Sequence, residues 1–180
     1  MTNIFTGINF TGSTQTAVAE FQTAFNHPVA DKPTALSKER ATVRSIWTAE
    51  ECVELIAASC TNKEDFARFY YQFEEGVKKA FLKSLEDEFP QTEEEIIVGQ
   101  TDAVTDIEYF VNGTAVEMGI NLESYVQIVH DANMSKLFTD EEGNKYAKYR
   151  EEDGKVLKSP EFYQPEPYII KELQRAGMTK

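Results

Sequence analysis

Glu50, Glu51 and Glu54 form a Glu-Glu-x-x-Glu run in a stretch whose apolar residues recur at helical spacing. At about 100° per residue, Glu50 and Glu54 lie one turn apart, and Glu51 lies about 100° round from Glu50. The same arc holds Val43, Trp47 and Ala58, so the acids stand on or beside the apolar face rather than opposite it. Burying an unpartnered carboxylate costs on the order of several kcal/mol, so something positive belongs there. Two readings follow. Arg40 and Arg44 on the same helix can pair with the acids, or a divalent metal can sit among them. Two arginines do not suffice once a second acidic set is counted.

That second set is Asp102 and Asp106, one turn apart on another helix. With Tyr109 and Gly113 they border an apolar stripe of Ala103, Ile107, Phe110, Thr114 and Met118. Two antiparallel helices that each present acids at one-turn spacing can surround one or two hard cations with oxygen, and Gly113 would allow close approach. Mg²⁺ takes oxygen ligands at about 2.0–2.1 Å and shares them with substrate phosphates. The two histidines, His27 and His130, form no Glu-x-x-His pair, which argues against a di-iron bundle.

A basic set complements the acids. Asn133 and Lys136 share a face with Leu122, Val126 and Val129, where a lysine either snorkels to solvent or meets an anion. Asp153-Gly-Lys155-Val-Leu-Lys158 places two more lysines at a glycine turn, a motif common on plain surface loops.

The elements that must position these residues read as helices. The spacing predicts a first helix over about 14–26 capped by Ser13, and a second from Ser37 to about Ser59. Thr61-Asn-Lys-Glu64 reads as a capping box opening a third helix striped with Phe66, Phe69, Tyr70, Phe73, Val77, Phe81 and Leu85, a stripe suited to a core or an oligomer interface. Thr92-Glu-Glu-Glu95 opens a fourth helix to about Met118, ended by Gly119. Asn121 caps a fifth to Leu137. Beyond Phe138 the periodicity fades into glycine turns and prolines, with weak hairpin signals near Lys145–Tyr149 and a short helix at about Tyr168–Ala176. The expectation is an all-α protein: a helical bundle of about five main helices in a single domain over 1–180, with residues 138–180 as an irregular extension packed on it.

Composition narrows the function. A chain of 180 residues with 41% hydrophobic residues can bury one full core. A net charge of −13 argues against gripping nucleic acid or anionic lipid, while nucleotides remain accessible through divalent cations. Cys52 and Cys60 lack metal-ligand spacing and fit a reducing compartment. With no membrane span and no signal-peptide pattern in the polar N-terminus, the reading is a cytoplasmic protein.

Taken in order, four segments resemble the all-alpha NTP pyrophosphatases, the superfamily of MazG-like enzymes and phosphoribosyl-ATP pyrophosphohydrolases. They are Arg44-Ser-Ile-Trp-Thr-Ala-Glu-Glu51-Cys-Val-Glu54-Leu, Asp102-Ala-Val-Thr-Asp106-Ile-Glu-Tyr-Phe-Val-Asn-Gly113, Val129-His-Asp-Ala-Asn133-Met-Ser-Lys136 and Asp153-Gly-Lys155-Val-Leu-Lys158. The resemblance runs from about Phe25 to Pro167. It implies a nucleoside triphosphate held through Mg²⁺, or Mn²⁺, on Glu50, Glu51, Glu54 and Asp106, which are also the catalytic set. Water would attack the α-phosphorus, releasing nucleoside monophosphate and pyrophosphate, with a glutamate as general base. Asn133, Lys136, Lys155 and Lys158 would offset the charge of the leaving pyrophosphate. It further implies a homodimer or homotetramer with sites shared between chains.

Two features depart from the family pattern. Ala103 stands where the usual Glu-x-x-Asp motif has its glutamate, and Asp102 is the candidate replacement, added to the metal set. The aromatic helix also lengthens the spacing from Glu54 to Asp102. Because phosphoribosyl-ATP hydrolases of histidine synthesis resemble only the central part, the expected role is nucleotide-pool housecleaning, on dUTP or another noncanonical nucleotide. The alternatives are a noncatalytic nucleotide- and metal-binding regulatory module on the same fold, and a structural helical oligomer with salt-bridged acids.

Overall fold

A computed structural model describes residues 13–179. Six helices carry the described chain, in the order α1 (Ser13–Ala24), α2 (Lys38–Ala58), α3 (Lys63–Ser84), α4 (Glu93–Met118), α5 (Glu123–Met134) and α6 (Glu166–Arg175), with a small hairpin before the last. The all-α expectation holds. Its strands are β1 (Phe138–Thr139) and β2 (Lys145–Tyr146), antiparallel with Phe138 opposite Tyr146. The hairpin therefore starts earlier than the sequence signals suggested, and a separate bridge joins Tyr149 to Val156.

Local chemistry sets most helix ends. Ser37 caps α2, its side chain accepting from the Arg40 N–H at 3.1 Å. At α4 the expected capping box forms: Thr92 Oγ accepts from the Glu95 N–H at 3.2 Å, and the Glu95 carboxylate accepts from Thr92 N–H at 3.0 Å and Gln91 N–H at 2.7 Å. Those backbone bonds hold the Glu95 carboxyl below its ordinary pKa. The α4 terminus closes on Gly119 at φ +68°, which lets the Ile120 N–H reach back to the Ala115 carbonyl at 3.0 Å. Asn26, at φ +52°, does the same for α1 by aiming the His27 N–H at the Gln22 carbonyl at 2.7 Å.

Three expected caps differ. Asn62, not Thr61, caps α3, because its amide oxygen accepts from Asp65 N–H at 2.8 Å while its amide nitrogen donates to the Asp65 carboxylate. The α5 N-cap position is Leu122 with no side-chain bond, and Asn121 contributes only its backbone carbonyl, to Ser124 N–H. Ser13 is the first residue of α1 rather than its cap, and the polar N-terminus lies outside the described residues.

The chain divides into two compact units, residues 1–33 with 105–180, and residues 34–104. The boundary falls within α4. In the first unit α1 packs on α5, and α5 on α6. Its core comprises the fully buried Phe25 with Ala17, Ala19, Ala115, Tyr125, Ala132 and Leu137. Phe25 stacks on Phe21 at 4.2 Å between centroids, and the Tyr149 hydroxyl donates to its carbonyl. In the second unit α2 packs on α3, and the Gln100 side chain clasps Leu36 through both backbone groups, at 2.8 and 3.0 Å.

Apolar faces in the second unit stay bare. Neither α2 nor α3 has a buried residue. On the α3 stripe Phe66, Tyr70 and Phe73 are half-buried, while Phe81 is 60% exposed and Phe69, Val77 and Leu85 are exposed too.

The end of α5 leaves carbonyls without helical partners. Ser159 from the tail supplies them: its N–H donates to the Lys136 carbonyl at 3.2 Å and its hydroxyl to the Ser135 carbonyl at 2.8 Å. The hydroxyl also accepts from Glu161 N–H. Replacing the buried Ser159 with alanine removes both roles and should cost about 1–2 kcal/mol. The thermal midpoint should fall by roughly 2–8 °C in a calorimetric scan.

Candidate active site

The acidic run sits mid-α2, where no cap or break disturbs the helical spacing. Glu50, Glu51 and Glu54 are all exposed. So are their apolar neighbours Val43, Trp47 and Leu55, hence the face is apolar without being buried in the chain by itself. Neither arginine neutralises the acids. The Arg40 and Arg44 guanidiniums instead lie over the Trp47 ring at 5.3 and 5.5 Å. Burial, with the like charge of Arg40 second, lowers the Arg44 pKa. Among the described residues no ion pair joins these arginines to the glutamates.

Asp102 and Asp106 are one turn apart on α4 and exposed, on either side of the division between the units. Among the described residues nothing comes within 4 Å of the position a Cβ would take at Gly113, so that face is open. The donor chemistry of the five acids suits a hard cation, since each offers carboxylate oxygen to solvent. Among the described residues, no three His, Cys, Asp or Glu side chains converge to hold a metal.

The basic residues do converge. Lys136 is half-buried just past α5, and its ammonium donates to Asn133 Oδ1 at 2.6 Å. Its pKa is lowered, chiefly by burial and then by the charges of Lys158 and Lys155. Both tail lysines are held by their loop. Gly154 at φ +69° makes the turn, Arg150 N–H donates to the Lys155 carbonyl at 2.8 Å, and Lys155 N–H donates to the Asp153 carboxylate at 3.1 Å. Asp153 is pulled to a pKa of about 2, first by its hydrogen bond from Arg150. The Lys158 ammonium lies 4.3 Å from the Phe162 ring centroid.

Three lysines and an asparagine, separated by up to 25 positions (133 to 158), thus form one electropositive corner. Lys136 neither snorkels free nor finds a carboxylate. The residues that sequence reasoning missed are Ser135 and Ser159, which fasten the tail beneath Lys136, with Ser135 Oγ also accepting from Tyr163 N–H at 3.3 Å. No sequence signal marks a pairing of two serines 24 residues apart.

The model of the phosphoribosyl-ATP pyrophosphohydrolase family matches residues 18–133. The chain belongs to this family. The match contains the acids and Asn133 but stops short of Lys136, Lys155 and Lys158. A solved structure matches over a longer span. It is a protein from Exiguobacterium sp. 255-15 to which NTP pyrophosphohydrolase activity has been ascribed, 38% identical, with a TM-score of 0.84 over 92% of this chain and 96% of that one. No protein of curated function matches. Family and structural likeness both support pyrophosphohydrolase chemistry, on the all-α NTP pyrophosphatase fold.

A half-buried cation opposed by two others should be tolerated rather than required by the fold. Lys136→Met should leave the melting temperature unchanged or raised, while weakening tripolyphosphate binding by about ten- to a hundredfold in calorimetric titration. The pH dependences should oppose each other. The folded chain holds the Lys136 proton less tightly than the unfolded chain. Raising pH from the lowered value toward the ordinary lysine value therefore favours folding, and the same rise weakens anion binding. Lys136→Arg should flatten that fall in tripolyphosphate affinity, because a guanidinium keeps its charge.

Proposed function

We propose that the protein is a Mg²⁺-dependent nucleoside triphosphate pyrophosphohydrolase that releases nucleoside monophosphate and pyrophosphate. The observation that carries the reading is the Asn133–Lys136–Lys155–Lys158 corner. On a chain of net charge −13, a built cluster of three lysines around a half-buried ammonium suits a polyanion. Exposed carboxylates on α2 and α4 complement it, and family membership supplies the reaction class.

In this reading Mg²⁺, for which Mn²⁺ could substitute, would be held by carboxylates drawn from Glu50, Glu51, Glu54, Asp102 and Asp106 together with the substrate phosphates. The bound cation would polarise the α-phosphate and offset the charge that develops there. A glutamate of the α2 run takes a proton from water as the water oxygen attacks the α-phosphorus. The bond from that phosphorus to the bridging oxygen breaks, and the electron pair leaves with pyrophosphate. Lys136, Lys155 and Lys158 neutralise the leaving group, and Asn133 fixes the Lys136 ammonium. Asp102 serves in place of the acid missing at Ala103.

A homodimer or homotetramer completes the proposal. Phe81 at 60%, Phe110 at 73% and Val116 at 77% exposure are costly to leave in water, and a second copy would cover such faces. The two free thiols fit a cytoplasmic enzyme, and no described helix is long and apolar enough to cross a membrane. Nucleotide-pool housecleaning, on dUTP or another noncanonical nucleotide, is the role we favour.

A panel of canonical and noncanonical triphosphates with Mg²⁺ tests the reading. Pyrophosphate should appear, and chelation should abolish it. Glu51→Gln and Asp106→Asn should lower kcat by on the order of 10²–10⁴-fold while preserving the circular dichroism spectrum. Binding of nucleotide and metal without product would instead establish the noncatalytic module.

A further inference from the structure

We propose that the cleft between α1 and α5 receives the nucleoside end of the substrate, with Asn133 at the junction between that end and the triphosphate. This rests on the pyrophosphohydrolase reading for the identity of the ligand. The observation is a cavity of about 320 Å³ walled by Ala17, Val18 and Phe21 on one side and Val126, Val129 and His130 on the other. Its size falls at the small end of ligand pockets, and its walls are largely apolar with few polar groups, as a flat heterocycle requires.

Three features aim it at a nucleoside. Among the described residues no lysine or arginine lines the cleft, so it is unsuited to the phosphates themselves. Its one imidazole, His130, is already engaged, with Nε2 facing the Glu20 carboxylate at 3.3 Å. Asn133 lines the cleft and also accepts from Lys136 through Oδ1, so the cavity and the electropositive corner share that side chain. With that oxygen occupied, the asparagine amide nitrogen is the group left to donate to a ring carbonyl or ring nitrogen. Phe21 is backed by Phe25 at 4.2 Å between centroids, so its ring is held rather than free to collapse into the space. A ligand spanning both regions has an apolar ring at one end and several negative charges at the other. A nucleoside triphosphate has that form.

Methyl-labelled protein with the non-hydrolysable analogue α,β-imido-dUTP, with dUMP and with inorganic tripolyphosphate, each with Mg²⁺, tests the assignment by NMR. Both nucleotides should shift the methyl signals of Ala17, Val18, Val126 and Val129, and tripolyphosphate should leave them in place. Val18→Trp fills the cleft from a side chain already 44% exposed. It should raise KM for the triphosphate by about tenfold or more, with tripolyphosphate affinity unchanged. Two results overturn the proposal: nucleotide that binds without moving those methyls, or a folded Val18→Trp protein with unaltered KM. Methyls that respond only to deletion of residues 1–12, or to dilution of the protein, also overturn it, by giving the cleft to the chain itself or to a second copy. Nucleotide-specific shifts in a protein that hydrolyses no triphosphate would uphold the cleft and reject the pyrophosphohydrolase reading.

Discussion

Just past the end of α5, the Ser135 and Lys136 carbonyls take their donors from the tail. Ser159 reaches Ser135 and Lys136, and this pair of hydrogen bonds fixes where the C-terminal segment lies. Everything basic in the candidate site follows from it. With Ser159 docked, Lys158 and Lys155 stand beside Lys136, and their charges add to the burial that disfavours its ammonium form. A chain with nearly twice as many acids as bases, 31 against 18, has no shortage of carboxylates to place there. Lys136 nonetheless pairs with Asn133 rather than with any carboxylate among the described residues, and the neighbouring Asp153 is taken up by Arg150, an arrangement that would suit an incoming polyanion.

The acids obey a different constraint. On α2 and α4 they face solvent on helices whose apolar residues are also uncovered, so those surfaces are unfinished as surfaces of a lone chain. Under the proposed function such carboxylates would find their partner in a cation, and Mg²⁺ would bring substrate phosphates as further ligands. In the proposed reaction the basic corner would neutralise the leaving group and the acids would hold the cation.

Much of this was legible in the sequence wherever the governing interaction is local. The α4 capping box, the Ser37 cap and the Gly119 terminus depend on residues within five positions of one another, and each forms as read. Asn62 displaced Thr61 because two neighbouring polar residues competed for one cap, and the amide could bond Asp65 twice. Lys136 could be singled out because it sits on an apolar stripe, and it is found half-buried against Asn133. The acids of α2 were placed on their helix correctly, but the inference that they are buried failed. Helical periodicity reports which residues share a face, and says nothing of whether the same chain covers it. The Ser135–Ser159 clasp and the α1–α5 cleft join positions far apart in sequence, and no local pattern encodes such pairings.

The central claim is that water attacks the α-phosphorus, with pyrophosphate as the leaving group. Hydrolysis in H₂¹⁸O, followed by mass spectrometry of the products, tests it most directly. The account predicts one ¹⁸O in the nucleoside monophosphate and none in the pyrophosphate. Label in the pyrophosphate, or release of nucleoside diphosphate and inorganic phosphate, would contradict it.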